Sequence, residues 1–236
     1  GKDYKMPVNS TYIDKHDFEY WLKTNKIETV FFNEQNWWSS ILICKELGIK
    51  TGAYIDYYTK ETVPLFEVYD FLICNTKRHE SVFTWHKQNY YVPWGTDINL
   101  FKRKNYKNEK VTFFHSAGMS PYRKGTDILI KAAEQLTKGN YNFKIIIHSQ
   151  VEIEDWFPDL KSTIKQMKDN GFLEVLNKTV SAPGLFYLGD IYVYPSRLDG
   201  IGLTIAEAQS CGLPVITTNE PPMNEQLTLY CKTVDI

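Results

Sequence analysis

Two tandem Rossmann-like domains with parallel sheets, an α/β fold, follow from three features of the 236-residue sequence. Short apolar runs rich in β-branched residues alternate with helical patterns along the whole chain. The alternation breaks once, at the charged, apolar-poor segment 102–110 (KRKNYKNEK), and then restarts. The restarted half ends in a strand, a tight glycine loop, a helix and a strand over 190–220, one βαβ unit whose loop sits at the carboxyl edge of a sheet, where open α/β folds bind ligands. The expected division is an N-terminal domain over 1–101, a linker over 102–110 and a C-terminal domain over 111–236. No solenoid-period repeat and no low-complexity tract competes with it.

The elements justify the division in order. Asp14 is placed to cap a helix over 15–25 with Phe18, Trp21 and Leu22 on one face. A strand over 29–32, a helix over 38–47 stopped by Gly48 and a strand over 50–55 follow. Next come a helix over 61–69 interrupted near Pro64, a strand over 71–74, a helix over 77–87, and a strand over 90–92 ended by Pro93. Beyond the charged segment, the pattern predicts a strand over 111–115, a glycine-bearing loop over 117–125 and an amphipathic helix over 126–137. A strand over 143–147, a helix over 159–170 capped by Gly171 and a strand over 173–176 lead to the closing unit. There Ile191–Tyr194 forms a strand, Leu203–Ser210 a helix closed by Gly212, and 214–218 a second strand.

Composition narrows the function classes. Lys and Arg number 27 against 28 Asp and Glu, so bulk charge directs the chain neither to nucleic acid nor to an anionic membrane. No apolar run approaches the roughly 18 residues that span a bilayer. The four cysteines, Cys44, Cys74, Cys211 and Cys231, form no C-x-x-C pair and read as buried thiols of a reducing, cytoplasmic compartment. The aromatic content of 15% suits either a bulky core or carbohydrate stacking. No His, Asp or Glu cluster has metal-ligand spacing, and neither a Walker loop nor a Gly-x-Ser-x-Gly elbow occurs.

Residues 195–216, PSRLDGIGLTIAEAQSCGLPVI, resemble the signature of retaining nucleotide-sugar glycosyltransferases of family 4, which have the GT-B fold. That signature pairs Pro-Ser-Arg-x-Glu-Gly-x-Gly with a helix bearing Glu-Ala, its two acids eight apart, as Asp199 and Glu207 are. One departure is Asp199 in place of the usual Glu. HSAGMSPYRKGTDILIKAAEQL (115–136) is similar to the family's first donor-domain strand, loop and helix, although Met119 stands where the pattern has an arginine. YYVPWGTDINLF (90–101) resembles the segment joining the two domains, and YDFLICNTKRHESVF (69–83) the strand and helix before it. Such enzymes carry further chain before Tyr12 and after Asp235, so the resemblance implies a chain truncated at both ends, or a reduced version of the family, with an incomplete N-terminal domain.

The resemblance implies transfer of a hexosyl group from a nucleoside diphosphate sugar to a hydroxyl of a glycan, lipid or protein. UDP and GDP sugars are the expected donors. No cofactor is expected, and the lack of an Asp-x-Asp motif fits the family's usual independence of divalent ions. A non-catalytic nucleotide-sugar-binding module and, further off, a GT-B sugar epimerase are the alternatives. Neither nucleic acid nor a transmembrane segment is expected, and peripheral membrane contact is left open.

The residues support that chemistry. Gly118, Gly200 and Gly202 let backbone approach a ligand, and the helix starting at Leu203 offers free N–H groups and a positive dipole end to phosphates. Ile201, Gly202, Leu203 and Thr204 are therefore candidate backbone contacts, with the Thr204 hydroxyl in reserve. By resemblance, Asp199 faces the transferred sugar and Glu207 accepts from the ribose hydroxyls. The bland reading of this acidic pair is two surface carboxylates at a helix start. Lys124 is suited to neutralise the leaving diphosphate, and Arg123 beside it either stands in for the arginine absent at 119 or, with Lys124, merely starts the helix at Thr126, a placement the helix dipole disfavours. Arg197 is either a third phosphate contact or a strand-end surface residue. His115 and His148 end predicted strands, either pointing into the cleft or filling structural roles. On the acceptor side, 33–38 and 56–59 are strand-end candidates whose aromatics, Trp37, Trp38, Tyr57 and Tyr58, either stack on a sugar or belong to the core.

Overall fold

The computed structural model describes residues 2–5, 13–33, 37–55, 57–104 and 106–235. It divides into two compact units, 1–93 and 94–236.

In the first unit, α1 (Lys15–Thr24) precedes a four-stranded sheet of β1 (Thr29–Asn33), β2 (Lys50–Ile55), β3 (Phe71–Cys74) and β4 (Asn89–Tyr91), in the order β1-β2-β3-β4. All pairs are parallel. Asp14 caps α1 as its residue type predicts, Oδ1 accepting from the Asp17 amide at 3.0 Å. Helix α2 (Trp38–Glu46) buries Ile41, Ile43 and Cys44 among Phe18, Leu72 and Phe83. Trp38 packs edge-on against Phe66 at 5.6 Å, and Tyr58 against Phe83 at 5.2 Å, so both belong to the core, whereas Tyr57 is exposed. Asp56 and residues 34–36 lie outside the described residues.

Two helices expected here are corrected. The 61–69 segment is a 3₁₀ turn, Val63–Val68, because Pro64 lacks a donor and Thr59 and Thr62 bond each other's backbone instead. Helix α3 (Lys77–Val82) is half the expected length. His86 takes the next turn, its Nε2 bonding the Tyr69 carbonyl at 3.0 Å and its Nδ1 accepting from the Gln88 amide, so that β4 starts in register with β3.

The second unit has a six-stranded parallel sheet ordered β10-β9-β8-β5-β6-β7, from β5 (Val111–Gly118), β6 (Phe143–Ser149), β7 (Leu173–Asn177), β8 (Ile191–Tyr194), β9 (Val215–Thr218) and β10 (Lys232–Val234). Alternate residues face opposite sides. Phe114, Tyr192, Tyr194 and Val215 pack beneath α7 (Leu203–Ser210) through Ile205 and Ala208. Ala117, Ile145, Ile147 and Val193 pack against α4 (Thr126–Thr137) and α6 (Lys161–Asp169) through Ile130, Ile164 and Met167. Burial of each such branched or aromatic side chain stabilises by about 1.5–3 kcal/mol. The short helix α5 (Ile153–Trp156) and β10 were not legible as periodic segments. Cys44, Cys74 and Cys211 are buried free thiols, while Cys231 is half-exposed beside Gln209.

The charged segment at 102–110 is not a free connector. It belongs to the second unit, and the division falls between Pro93 and Trp94. Phe101 packs on Phe186 at 6.2 Å, its carbonyl accepts from the Ser210 hydroxyl, and Asn108 Nδ2 donates to the Leu188 carbonyl at 3.2 Å.

Candidate functional site

Strand order places the site. From β5 the chain moves outward through β6 and β7, then returns to β8 beside β5 and continues outward to β9 and β10. The switch point lies between β5 and β8, and the loops leaving their carboxyl ends are 118–125 and 195–202. The β5–β8 ladder is short, pairing Phe113 with Ile191 and Phe114 with Tyr192. Beyond it His115 bridges the opening strands. Its Nδ1 donates to the Val193 carbonyl and its Nε2 accepts from Thr126, each at 2.8 Å. The hydroxyls of Thr217 and Thr218 occupy the Tyr194 and Ser196 carbonyls at 2.7 and 2.8 Å.

The two loops are zipped together at the Arg123 carbonyl. It accepts from the Arg197 amide at 2.8 Å and from Ser196 Oγ at 3.2 Å. The first of these bonds runs from main chain to main chain and fixes the spacing of the two turns. Gly125 makes the close approach possible. It sits at φ +71° as the N-cap of α4, and a Cβ there would lie 1.9 Å from the Pro195 carbonyl oxygen.

Lys124 and Asp199 meet between the loops. Lys124 Nζ lies 2.6 Å from Asp199 Oδ2, the two side chains being 14% and 15% exposed. The Tyr194 hydroxyl bonds both groups, donating to Asp199 Oδ2, and the ammonium stands 4.7 Å over the Tyr194 ring. Burial raises the Asp199 carboxyl, but Lys124, Tyr194 and Arg123 outweigh it and hold it below the usual carboxylate range. Asp199 Oδ1 accepts from the Gly200 amide at 3.0 Å. Arg123 stands at the rim, Nη1 3.8 Å from Asp199 Oδ1 while donating to the Leu198 carbonyl at 3.0 Å. Sequence reasoning missed Tyr194, which reads there only as part of an apolar strand.

Helix α7 begins beside this cluster. Gly202 caps it at φ +77°, and Gln226 Nε2 holds the Ile201 carbonyl at 2.8 Å. Glu207, one turn inside, is half-buried and its carboxylate has no ion pair or hydrogen bond among the described residues; burial pushes its carboxyl up. Thr204 Oγ1 is buried beside the Tyr192 and Tyr194 hydroxyls. Gly118 ends β5 at φ +56°, its carbonyl accepting from the Gln150 amide at 2.9 Å. Met119, in the position where the resemblance expects a cation, is exposed.

Two expectations change. Arg197 is not a loose surface residue. Its guanidinium binds both Asp127 oxygens at 2.7 and 2.8 Å, donates to the Tyr122 carbonyl at 2.6 Å and lies 4.2 Å over the Tyr122 ring, clamping loop to helix. His115 and His148 are structural, His148 Nε2 bonding the Lys178 carbonyl at 2.8 Å. No group of three or more His, Cys, Asp or Glu side chains is arranged for a metal among the described residues.

Burial pushes the His115 imidazole down to about 4, with Lys124 adding to the shift and the Val193 carbonyl opposing it. A folded pKa below the unfolded value means stability that is full above about 6.5 and drains away as pH falls toward 4. Chemical denaturation should therefore register a loss of about 3 kcal/mol from His115 between neutral pH and pH 4. His79, also pushed down to about 4 by burial, adds in the same direction. A His115→Gln variant with the same pH slope would remove His115 from this account.

The sequence profile described as "Glycosyl transferases group 1" matches residues 97–231, and the chain belongs to that family. Among curated relatives, the O-antigen biosynthesis glycosyltransferase WclY of Escherichia coli is 32% identical over 114 residues, 48% of this chain and 30% of that protein. The chain thus spans under a third of the length of that relative. A glycosyltransferase from Rickettsia africae superimposes with a TM-score of 0.74 at 16% identity, covering 92% of this chain and 65% of the other. Anabaena HepE, solved with UDP-glucose, gives 0.70 at 15% identity over 94% of this chain and 68% of the other. These structures share the GT-B fold with the chain.

Proposed function

We propose that this chain carries the donor site of a retaining glycosyltransferase that moves a hexosyl group from a nucleoside diphosphate sugar to a hydroxyl of a glycan, lipid or protein. The observation that carries the reading is the buried Lys124–Asp199 pair at the switch point, next to the start of α7 and one turn from the unpaired Glu207. A nucleoside diphosphate sugar needs cations and N–H donors at its phosphates and carboxylates at its hydroxyls. Lys124, Arg123 and the amides of Ile201–Thr204 supply the first set; Asp199 and Glu207 supply the second.

In this scheme the acceptor oxygen bonds the anomeric carbon on the face from which the diphosphate leaves. The bond from that carbon to the phosphate oxygen breaks, the acceptor proton passes to the departing phosphate, and the anomeric configuration is kept. Lys124 stabilises the charge growing on the leaving group, which competes with Asp199 for its ammonium. No cofactor enters the scheme.

Glu207→Ala should weaken UDP or GDP binding about ten- to hundredfold, the weight of a hydrogen bond to a charged group. Titration calorimetry reads this directly, and unchanged affinity would sink the ribose role. Met119 and the short Asp199 favour a second reading, binding without turnover. Nucleotide binding by the full-length protein with neither transfer nor donor hydrolysis would establish it.

A further inference from the structure

The amino-terminal edge of the second unit's sheet, opposite the loops described above, is crossed by the charged segment the donor site does not use. Two hollows there share Tyr106. One, of about 240 Å³, is lined by Lys102, Arg103 and Lys104 with Tyr187, Asp190 and the 211–214 turn before β9. The other, of about 620 Å³, is lined by Lys107 and Lys110 with Lys144, Glu174 and the starts of β5 and β7. Arg103 lies over Gly212, its Cδ 3.2 Å from where a Cβ would stand, and Lys104 Nζ stands 4.6 Å over the Tyr187 ring. The segment is therefore held across the edge as a strip, from β9 to β7.

The strip is strongly basic. Across the two hollows six cations face three carboxylates, on a chain whose formal charge is −1. Two of the three carboxylates are engaged, Glu174 by Lys144 at 2.5 Å and Asp190 by the Thr112 amide at 2.9 Å. Lys102, Arg103, Lys104, Lys107 and Lys110 are exposed and have no carboxylate partner among the described residues. Apolar groups flank them at the same edge. Leu229 and Tyr230, 96% and 84% exposed, project from the turn that leads into β10, and Tyr106, Val111 and Tyr141 are exposed along the strand starts.

We propose that this edge docks on an anionic lipid bilayer, Lys102–Lys104, Lys107 and Lys110 meeting lipid phosphates and Leu229 and Tyr230 entering the headgroup region. Charge complementarity selects this occupant over a protein surface. A protein pocket of matching shape would have to place five separate acids, whereas a bilayer offers a continuous negative plane, and a tyrosine beside an aliphatic residue suits the interface. Charge alone binds weakly and reversibly, so the two signals act together. The docking edge lies opposite the donor loops of the same unit, which leaves those loops clear of the lipid.

The test is co-sedimentation of the chain with vesicles of phosphatidylglycerol and phosphatidylcholine in equal parts, beside vesicles of phosphatidylcholine alone. Binding is expected to the first only, and to be lost near 1 M salt, where the screening length falls to about 3 Å. Each cation contributes about fivefold to partitioning, so Lys102→Gln/Arg103→Gln/Lys104→Gln should lower it about a hundredfold with thermal unfolding unchanged. Leu229→Ser/Tyr230→Ser should weaken binding at low salt by a smaller factor, again with thermal unfolding unchanged. Equal binding to both vesicle types, or full binding by the triple variant, overturns the proposal. So does capture on heparin without vesicle binding, which would make the strip a site for a soluble polyanion.

Discussion

Replacing Lys124 with methionine is expected to lower sugar transfer by about two to three orders of magnitude, the usual loss on removing one group that stabilises transition-state charge. Methionine keeps most of the stem volume, so the side chain still fills the space over the Tyr194 ring while the ammonium is lost. The change has a second consequence, because Asp199 then stays largely buried with only Tyr194, the Gly200 amide and the more distant Arg123 around it. An uncompensated carboxylate in such a place costs about 3 kcal/mol of stability. The two effects separate in the double variant Lys124→Met/Asp199→Asn. Its unfolding midpoint should return toward the parent value while transfer, followed by release of nucleoside diphosphate, stays low. Restored transfer in the double variant would show that Lys124 serves only to neutralise Asp199.

Gly125→Ala is expected to be the most damaging single methyl in the site, destabilising the second unit by about 3 kcal/mol or more. The left-handed backbone at φ +71° accounts for about 1–2 kcal/mol of that. The larger part is steric. The new Cβ would fall 1.9 Å from the Pro195 oxygen and 2.8 Å from its carbonyl carbon, and backbone at both places leaves nothing flexible to yield. Relief requires the two loops to part, which separates Lys124 from Asp199, so activity should fall with stability. Gly118→Ala is the control. Its φ of +56° carries the same conformational penalty, but no atom lies within 4 Å of the new methyl, so it should cost only about 1–2 kcal/mol. Equal losses in the two variants, measured by thermal unfolding, would refute the steric account.

Much of this site was legible because its residues are consecutive. Pro195–Thr204 and Gly118–Thr126 are short motifs whose glycines, helix starts and charges follow from local rules, and α4, α7 and β8 form where apolar spacing places them. Other assignments depended on contacts distant in sequence. Arg197 has the same local signature whether it meets a phosphate or a carboxylate. Asp127, 70 residues away, decides that it is a clamp. The 102–110 segment looks like a solvated connector by composition, and only the contacts of Arg103 with Gly212, Lys104 with Tyr187 and Asn108 with Leu188 show that it is fastened to the second unit. The shortened α3 likewise follows from His86 reaching the Tyr69 carbonyl, a bond no helical pattern records.

The sequence by itself determined the α/β class, nearly every strand, and the two loops that carry the candidate site, because backbone propensity and apolar periodicity act over a few residues. Tertiary structure alone decided that Lys124 closes on Asp199 through Tyr194, that the Glu207 carboxylate stays half-buried without a partner among the described residues, and that the basic segment spans one edge of the sheet. Each of those outcomes depends on strand order, which brings β8 back beside β5, and on the charge and desolvation that neighbours impose once they are in place.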